Sequence, residues 1–205
     1  MNIVIAHLYY DILNLYGESG NIDVLEYHLK DNNIKYTIKK LTLEDKLNFD
    51  EYDLVYMGSG TENNQAYALN HLKQYKEDIK KNIDNNKLFL ITGNSIELFG
   101  KDALNIFEFT SEKQDKRTVL EINTKIDQFD SNILGFINQQ TKLNKDTEFI
   151  INKNFIGTHL LGPILARNPE VLKYLFNKLT IIKKLNLSLD EKAYKEYINF
   201  KENVK

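Results

Sequence analysis

Four short apolar runs in the first half of the chain have the pattern of strands in one sheet. Residues 3–6 and 87–92 are almost continuously apolar, which is typical of strands that are buried on both faces. Residues 52–57 form a third run of this kind. Residues 34–41 alternate apolar with polar side chains, so this strand is predicted at an edge of the sheet.

Helical patterns separate these strands. After a loop-like segment over residues 8–20, Ile22, Leu25 and Leu29 mark one face of a first helix. A second helix is predicted over residues 62–82. Strands and helices joined by short connections are typical of an α/β sheet with helices on both faces.

From Ile106 onward the pattern changes to short strands without helices between them. Consecutive strands of this kind pair antiparallel, so we expect them to extend or cap the parallel sheet. They are predicted over residues 106–110, 117–123, 133–138, 147–152 and 155–159.

Two further helices are predicted near the C-terminus. Asn168-Pro169 begins one of them, with asparagine as N-cap and proline at the first helical position. Ser188 begins a last amphipathic helix with many charges. We therefore expect one domain over residues 1–185, with residues 186–205 as a C-terminal helical extension of the same domain.

Composition excludes several classes of function. The 205 residues, 42% of them hydrophobic, can bury one core. The 27 basic and 29 acidic residues are spread along the chain, so no nucleic-acid partner is predicted. No run approaches the roughly 20 apolar residues that span a bilayer, so we expect a cytoplasmic protein without membrane contact. Without cysteine, disulfides and thiolate zinc sites are excluded.

The acidic residues do not indicate a metal site. Asp11, Glu18 and Asp23 are too scattered to form one, and no cofactor is predicted. The Gly58-Ser59-Gly60 turn lacks both the third glycine of a dinucleotide fingerprint and a Walker lysine.

Residues 88–101 combine a strand, a tight turn and a helix start. The apolar run ends at Thr92-Gly93, and a helical pattern follows until Gly100. In α/β enzymes such a turn exposes a nucleophile above the sheet. Ser95 is one candidate for that role. The alternative, which we favour, is a capping box in which Asn94 and Glu97 fix the start of the helix.

Four motifs occur along most of the chain. They are Leu13-Asn14-Leu15-Tyr16 with Gly20-Asn21-Ile22, the Gly58-Ser59-Gly60 turn with Gln65, Gly135-Phe136-Ile137-Asn138, and Gly157-Thr158-His159-Leu160-Leu161-Gly162-Pro163. In this order they resemble the motifs of the cobyric-acid-synthase type of class I glutamine amidotransferase, in particular its branch of glutaminase subunits of lipid II isoglutaminyl synthase. The resemblance implies a three-layer, flavodoxin-like α/β fold with a mostly parallel central sheet and antiparallel additions.

The resemblance also shows where this chain departs from the family. The family cysteine falls on Gly93, the family histidine on Leu161, and an arginine that helps to hold glutamine on Lys142. Glutamine hydrolysis by this route needs a thiolate and an imidazole, and losing either costs about as much as losing both. We therefore predict no catalytic residues for glutamine hydrolysis.

A binding site without hydrolysis is then expected. Backbone N–H groups near Gly58 to Gly60 and after Gly93, which stabilise an oxyanion in the family, would hold a small amide or amino acid. The candidate ligand-binding residues are Gly58, Ser59, Gly60, Gln65, Gly93, Asn94, Ser95, Asn138, Lys142 and His159.

The four histidines have different interpretations. His159 either presents its imidazole near the old catalytic position or forms a local hydrogen bond, and we favour the second. His7, at the end of the first strand, is either structural or pocket-lining. His28 and His71 lie on helices among polar residues and are predicted at the surface.

Our leading hypothesis is a binding or regulatory subunit that has lost glutamine hydrolysis. The resemblance implies a Mur-ligase-like amide ligase as its partner, in cell-wall peptidoglycan amidation. The alternatives are an amidase or hydrolase whose remodelled pocket uses Ser95 or His159, and a non-catalytic amino-acid sensor.

Overall fold

A computed structural model describes residues 2–145, 149–179 and 185–203 of the chain. Its strands are β1 (Asn2–Leu8), β2 (Lys35–Leu41), β3 (Leu54–Met57), β4 (Leu88–Thr92), β5 (Ser111–Thr124), β6 (Ile133–Leu143), β7 (Phe149–Asn152) and β8 (Phe155–Thr158). Its α-helices are α1 (Gly20–Asp31), α2 (Glu62–Leu72), α3 (Lys76–Asp84), α4 (Ile164–Arg167), α5 (Pro169–Leu179) and α6 (Ser188–Asn203). The first sheet has the order β2-β1-β3-β4-β8-β7.

The predicted α/β architecture is confirmed. The β1 strand pairs in parallel with β2 and β3, and β4 pairs in parallel with β3 and β8, whereas β7 is antiparallel to β8. The alternating strand β2 lies at the edge, as its pattern predicted. The antiparallel addition to the parallel sheet is therefore β7.

Two apolar layers cover the sheet because successive strand residues face opposite sides. In β1, Ala6 and Leu8 pack with residues of α2 and α3, whereas Ile3 and Ile5 pack with α1 and α5. These layers give the three-layer arrangement that the family resemblance implied.

The β5–β6 pair is antiparallel, as expected, but it does not add to the parallel sheet. The two strands form a separate two-stranded antiparallel sheet and do not extend the six-stranded one. We call the six-stranded sheet with its helices the body of the protein. The β5–β6 pair is joined to the body by a hydrogen bond from the Leu161 N–H to the Phe136 carbonyl, at 2.8 Å.

The strand predicted over residues 106–110 is wrong. This segment wraps around the end of the turn after β4, because the N–H groups of Ile106 and Phe107 both donate to the carbonyl of Phe99. The ring of Phe107 packs on Phe155 and stacks on the ring of Phe109. Of the strand predicted over residues 147–152, positions 147 and 148 lie outside the described residues, and the rest forms β7.

The single helix predicted over residues 62–82 is also wrong. It is divided into α2 and α3 by a one-turn 3-10 helix, Lys73–Tyr75. Tyr75 leaves helical geometry there, and its ring packs on Phe49 while its hydroxyl accepts the Leu47 N–H.

Asn168 precedes Pro169 at the start of α5, as predicted, and its carbonyl accepts the N–H groups of Val171 and Leu172. Its side chain does not cap α5. It binds the N–H and carbonyl of Leu134 in β6 and the carbonyl of Ile164. The residue therefore ties the two-stranded sheet to the body.

No helix among the described residues is both long enough and apolar enough to cross a membrane.

Candidate functional site

Gly93 lies at the corner where β4 ends and a 3-10 helix, Gly93–Phe99, begins. Its φ of +64° lies in the left-handed region. A Cβ atom added to Gly93 would lie 2.3 Å from Cβ of Ser59 and 3.0 Å from Cδ2 of Leu161. The corner therefore has no space for a side chain at position 93, because Ser59 and Leu161 occupy it.

Ser59 is held in that space by Glu18. The Ser59 hydroxyl donates to one carboxylate oxygen of Glu18, and the other accepts the Tyr16 N–H at 2.9 Å. Both side chains are buried. Sequence reasoning considered Glu18 only as a metal ligand, and no spacing rule indicates its contact with Ser59.

Asn94 connects the two turns of the site. Its Nδ2 donates to the Gly60 carbonyl at 2.8 Å, and its Oδ1 accepts the Gly60 N–H at 3.2 Å. The predicted capping box is therefore wrong, because Thr92 is the N-cap and makes no side-chain cap bond. The Gly60 N–H, which we expected to face a ligand, is already bound to this side chain.

Ser95 lies beneath the site and is fully buried. Its hydroxyl donates a hydrogen bond to the carbonyl of Gly58 and accepts one from Nε2 of Gln65 at 2.8 Å. A carbonyl oxygen cannot accept the proton that a serine nucleophile must lose. In this arrangement Ser95 organises the turn, and no base activates it.

A cavity of about 470 Å³ opens above this corner. Of the predicted residues, Ser59, Gly60, Gln65, Asn94, Asn138 and His159 line it, and so does Leu161. Gly58, Gly93 and Ser95 lie outside this lining. The residues that the resemblance suggested thus include much of the cavity lining. The polar wall of the cavity also contains residues that the sequence did not indicate.

Arg117 is the main residue that was missed. It lines the cavity, and its Nη1 donates to the carbonyl and to Oδ1 of Asn138 at 3.2 and 3.1 Å. Lys142, which the resemblance suggested as the cation, is exposed and lines a neighbouring cavity. The sequence did not indicate Arg117 as a cavity residue, because Arg117 is distant from Asn138 in the chain. An irregularity in the pairing of β5 with β6 brings the two residues together.

His159 also lines the cavity, together with Leu161. Its Nε2 lies 3.2 Å from Oε1 of Glu97, which also accepts the Thr141 hydroxyl. An imidazole held by a carboxylate is a common arrangement for a general base. The two interpretations of His159 are therefore compatible. Its imidazole forms a local hydrogen bond, and it also lies in the cavity near the corner.

The other histidines are structural. His7 is 1% exposed, lies beside the rings of Tyr10 and Tyr56, and has no hydrogen-bond partner among the described residues. Burial, with a smaller effect of Lys40, lowers the pKa of His7 to about 4. It does not line the cavity above Gly93.

The predicted surface position of His28 is wrong. His28 is 2% exposed, and its Nε2 lies 3.3 Å from Asp190 of α6. His71 is half-buried, with Nδ1 3.0 Å from the hydroxyl of Tyr9. His28 thus faces α6, and His71 faces the segment that follows β1.

No group of three or more potential metal ligands occurs in the part of the chain that the structure describes.

The six-stranded sheet, with a strand-to-helix corner facing Leu161, defines an α/β protein of the class I glutamine amidotransferase type. The fold is similar to the crystal structure of a glutamine amidotransferase from Thermotoga maritima, with a TM-score of 0.52 and 14% identity. That match covers 94% of this chain and 92% of the other.

The chain belongs to the CobB/CobQ-like glutamine amidotransferase domain family, whose pattern matches residues 4–148. It is 29% identical over 204 aligned positions to the lipid II isoglutaminyl synthase (glutamine-hydrolyzing) subunit GatD of Staphylococcus aureus. The alignment covers 86% of this chain and 84% of that subunit. The GatD subunit of Streptococcus pneumoniae is 26% identical over 226 positions, covering 95% of this chain and 86% of the subunit.

Proposed function

We propose that this chain is a glutamine amidotransferase-like subunit that binds a small amide or amino acid and does not hydrolyse glutamine. It would act as the binding or regulatory subunit of a Mur-ligase-like amide ligase in peptidoglycan amidation. The relatives support a role in lipid II amidation as one subunit of a larger enzyme, since both are subunits of lipid II isoglutaminyl synthase. The Mur-ligase-like partner is what the family resemblance implies.

The observation that carries this proposal is the filled corner at Gly93. The chain has no cysteine, and the space for a side chain at position 93 is taken by Ser59 and Leu161. A thiol-dependent hydrolysis needs a sulfur atom at such a corner and a base within hydrogen-bond reach. Leucine at position 161 cannot transfer a proton.

The remaining cavity supports binding. Arg117 presents a guanidinium group, which pairs well with a carboxylate, and Glu97 presents a carboxylate that can pair with an ammonium group. Gln65 and Asn138 add carboxamide groups to the wall. This combination of groups matches an α-amino acid with a polar side chain, of which glutamine is the first to test.

Assays of glutamine hydrolysis test whether this activity is lost. The purified chain, alone and with its Mur-ligase-like partner, is incubated with glutamine, and ammonia and glutamate are measured. We expect no release above a buffer blank, whereas the Staphylococcus aureus GatD subunit, prepared in the same way with its own partner, serves as the positive control. Release that depends on this chain would contradict the proposal.

The His159–Glu97 pair favours a second candidate function, hydrolysis of another amide by water. Glu97 orients the imidazole, and His159 would take a proton from a water molecule as its oxygen attacks the carbonyl carbon. The imidazolium would then return that proton to the amide nitrogen as the C–N bond breaks, which releases the amine and the carboxylic acid. A screen of amide substrates followed by His159→Gln distinguishes the candidates. Turnover that is lost in His159→Gln and kept in Ser95→Ala supports this second function.

We also propose that α6 belongs to the same domain as the rest of the chain. A separate proposal is that the protein lies in the cytoplasm. The Tyr194 hydroxyl donates to the carbonyl of Asn132 at 2.8 Å, and Lys201 pairs with Glu121 of β5. With the contact between His28 and Asp190, α6 contacts both the body and the two-stranded sheet. A truncation before Ser188 that leaves stability unchanged would contradict this proposal.

A further inference from the structure

A second cavity, of about 530 Å³, lies on the β5–β6 pair next to the cavity above Gly93. The two cavities share Gln139 and Thr141 in their walls. These residues are two positions apart in β6 and therefore project from the same face of the strand. A ligand in the first cavity can thus extend across them into the second.

The register slip in β5 distributes charge between the two cavities. Lys113 lies opposite Thr141 and Thr118 lies opposite Gln139, so residues 114–117 together face only Gln140. An irregularity of this kind redirects side chains relative to a regular strand. As a result the neighbours Lys116 and Arg117 line different cavities.

The second cavity is lined by two free cations over an apolar floor. Lys116 and Lys142 take part in no ion pair among the described residues, although Glu112 lies opposite Lys142 in the register. Asp115 is the one acidic residue in its wall. The floor includes Leu120, which is 44% exposed. These groups fit a ligand that carries carboxylates on a partly apolar chain.

Two buried acceptors next to the shared wall lack donors. Gln65 is 6% exposed, and its Nε2 donates to Asn94 and Ser95, but its Oε1 accepts no hydrogen bond. The Oε1 of Gln139 is likewise without a partner among the described residues. Buried polar atoms rarely lack a hydrogen-bond partner, so an N–H donor from a ligand would satisfy each of these two oxygen atoms.

We propose that the two cavities form one site for a short acidic peptide that ends in glutamine. The terminal carboxylate pairs with Arg117, and the side-chain amide donates to Gln65. The last peptide N–H donates to Gln139, and the preceding acidic side chains pair with Lys116 and Lys142. This inference rests on the proposed function, since it requires a cavity that binds glutamine without splitting it.

Calorimetric titration with four probes tests the proposal: free glutamine, Glu-Glu-Gln, Ala-Ala-Gln and Lys-Lys-Gln. We expect Glu-Glu-Gln to bind at least tenfold more tightly than Ala-Ala-Gln, and Lys-Lys-Gln to bind most weakly. The double variant K116E/K142E should remove the preference for Glu-Glu-Gln and leave the affinity for free glutamine unchanged. Lys80→Glu, an exposed charge reversal on α3, is the matched control and should preserve the preference.

The outcomes separate this inference from the proposed function. If glutamine binds but the two tripeptides Glu-Glu-Gln and Ala-Ala-Gln bind equally, the extended site is refuted and the single-cavity function stands. If the preference persists in K116E/K142E, the acidic residues lie elsewhere and the assignment of the second cavity is refuted. If no probe binds, the proposed binding function fails together with the inference.

Discussion

A side chain on Gly93 and the side chain of Ser59 exclude each other, because their Cβ atoms would lie 2.3 Å apart. The resemblance implies a cysteine at position 93 and a Gly-Gly-Gly turn at positions 58–60, so Ser59 is also a departure from the family pattern. Serine in the turn is therefore compatible with glycine at the corner, and both departures from the family pattern belong to one packing change.

Gly93→Cys should lower the free energy of unfolding by about 2–4 kcal/mol. Overpacking against Ser59 and a non-glycine residue in the left-handed region both contribute. Urea unfolding measures the change. In Ser59→Gly the same substitution should cost less, since the closer of the two contacts is removed and only the one with Leu161 remains.

Gly17→Cys is the matched control for this experiment. Gly17 also has a left-handed backbone, with φ of +73°, but nothing lies within 4 Å of an added Cβ atom. Its cost should be limited to the backbone contribution, roughly 1 kcal/mol. Equal costs at the two glycines would show that Ser59 does not fill the corner.

Arg117→Ala should weaken glutamine binding by about tenfold or more, because a carboxylate loses its charge-assisted hydrogen bonds. Arg117→Lys should recover only part of the affinity, since lysine keeps the charge without the planar fork. Lys142→Ala should change the affinity by less than about twofold, because Lys142 lies outside the cavity above Gly93. Titration calorimetry measures all three, and a larger effect at Lys142 than at Arg117 would contradict the assignment.

His7 should make the protein less stable in mild acid. Its folded pKa is lowered to about 4 from 6.5, so the neutral imidazole is favoured in the folded state. The stabilisation is complete above pH 6.5 and is lost as the pH falls toward 4, at most about 3 kcal/mol in total.

The comparison for His7 is His7→Leu, which has no proton to bind. Urea unfolding from pH 7.5 to 4 should show a shallower decline for the variant than for the original chain. Parallel pH profiles would mean that other groups cause the decline. The charged group that faces His7 is Lys40, whose repulsion acts in the same direction as burial.

Asn168→Ala should destabilise the protein by about 2–4 kcal/mol. The substitution leaves the N–H and carbonyl of Leu134 and the carbonyl of Ile164 without the partners that they have now. Asn168→Asp keeps the acceptor for the Leu134 N–H but loses both donors, so its effect should also be large. Thermal unfolding that is unchanged in both variants would contradict the role of this side chain in joining β6 to the body.

The sequence predicted β1 to β4, four of the five parallel strands, well, since their apolar or alternating patterns differ clearly from those of the neighbouring helices. It was less successful at residues 106–110, where the apolar pattern serves the packing of Phe107 on Phe155 and on Phe109, and no strand pairing forms. Local periodicity reports that a residue is buried, and it does not identify the partner.

The site shows the same limit. Gly93, Leu161 and His159 were identified from motifs, because their spacing in the chain is fixed by the corner and by the end of β8. Glu18, Glu97 and Arg117 were not, because each reaches the site through a contact with a distant segment. Of these, Arg117 depends on an irregularity in strand pairing that no periodic pattern encodes.

The amino-acid sequence by itself determined the α/β class, the position of the corner and the absence of any thiol, because these follow from apolar periodicity and residue identity. The tertiary structure decided that Ser59 fills the corner, that Ser95 is buried without a base and that Arg117 replaces Lys142 as the cation of the cavity. Those facts depend on distances between segments, which are set by how the sheet, its turns and the β5–β6 pair pack together.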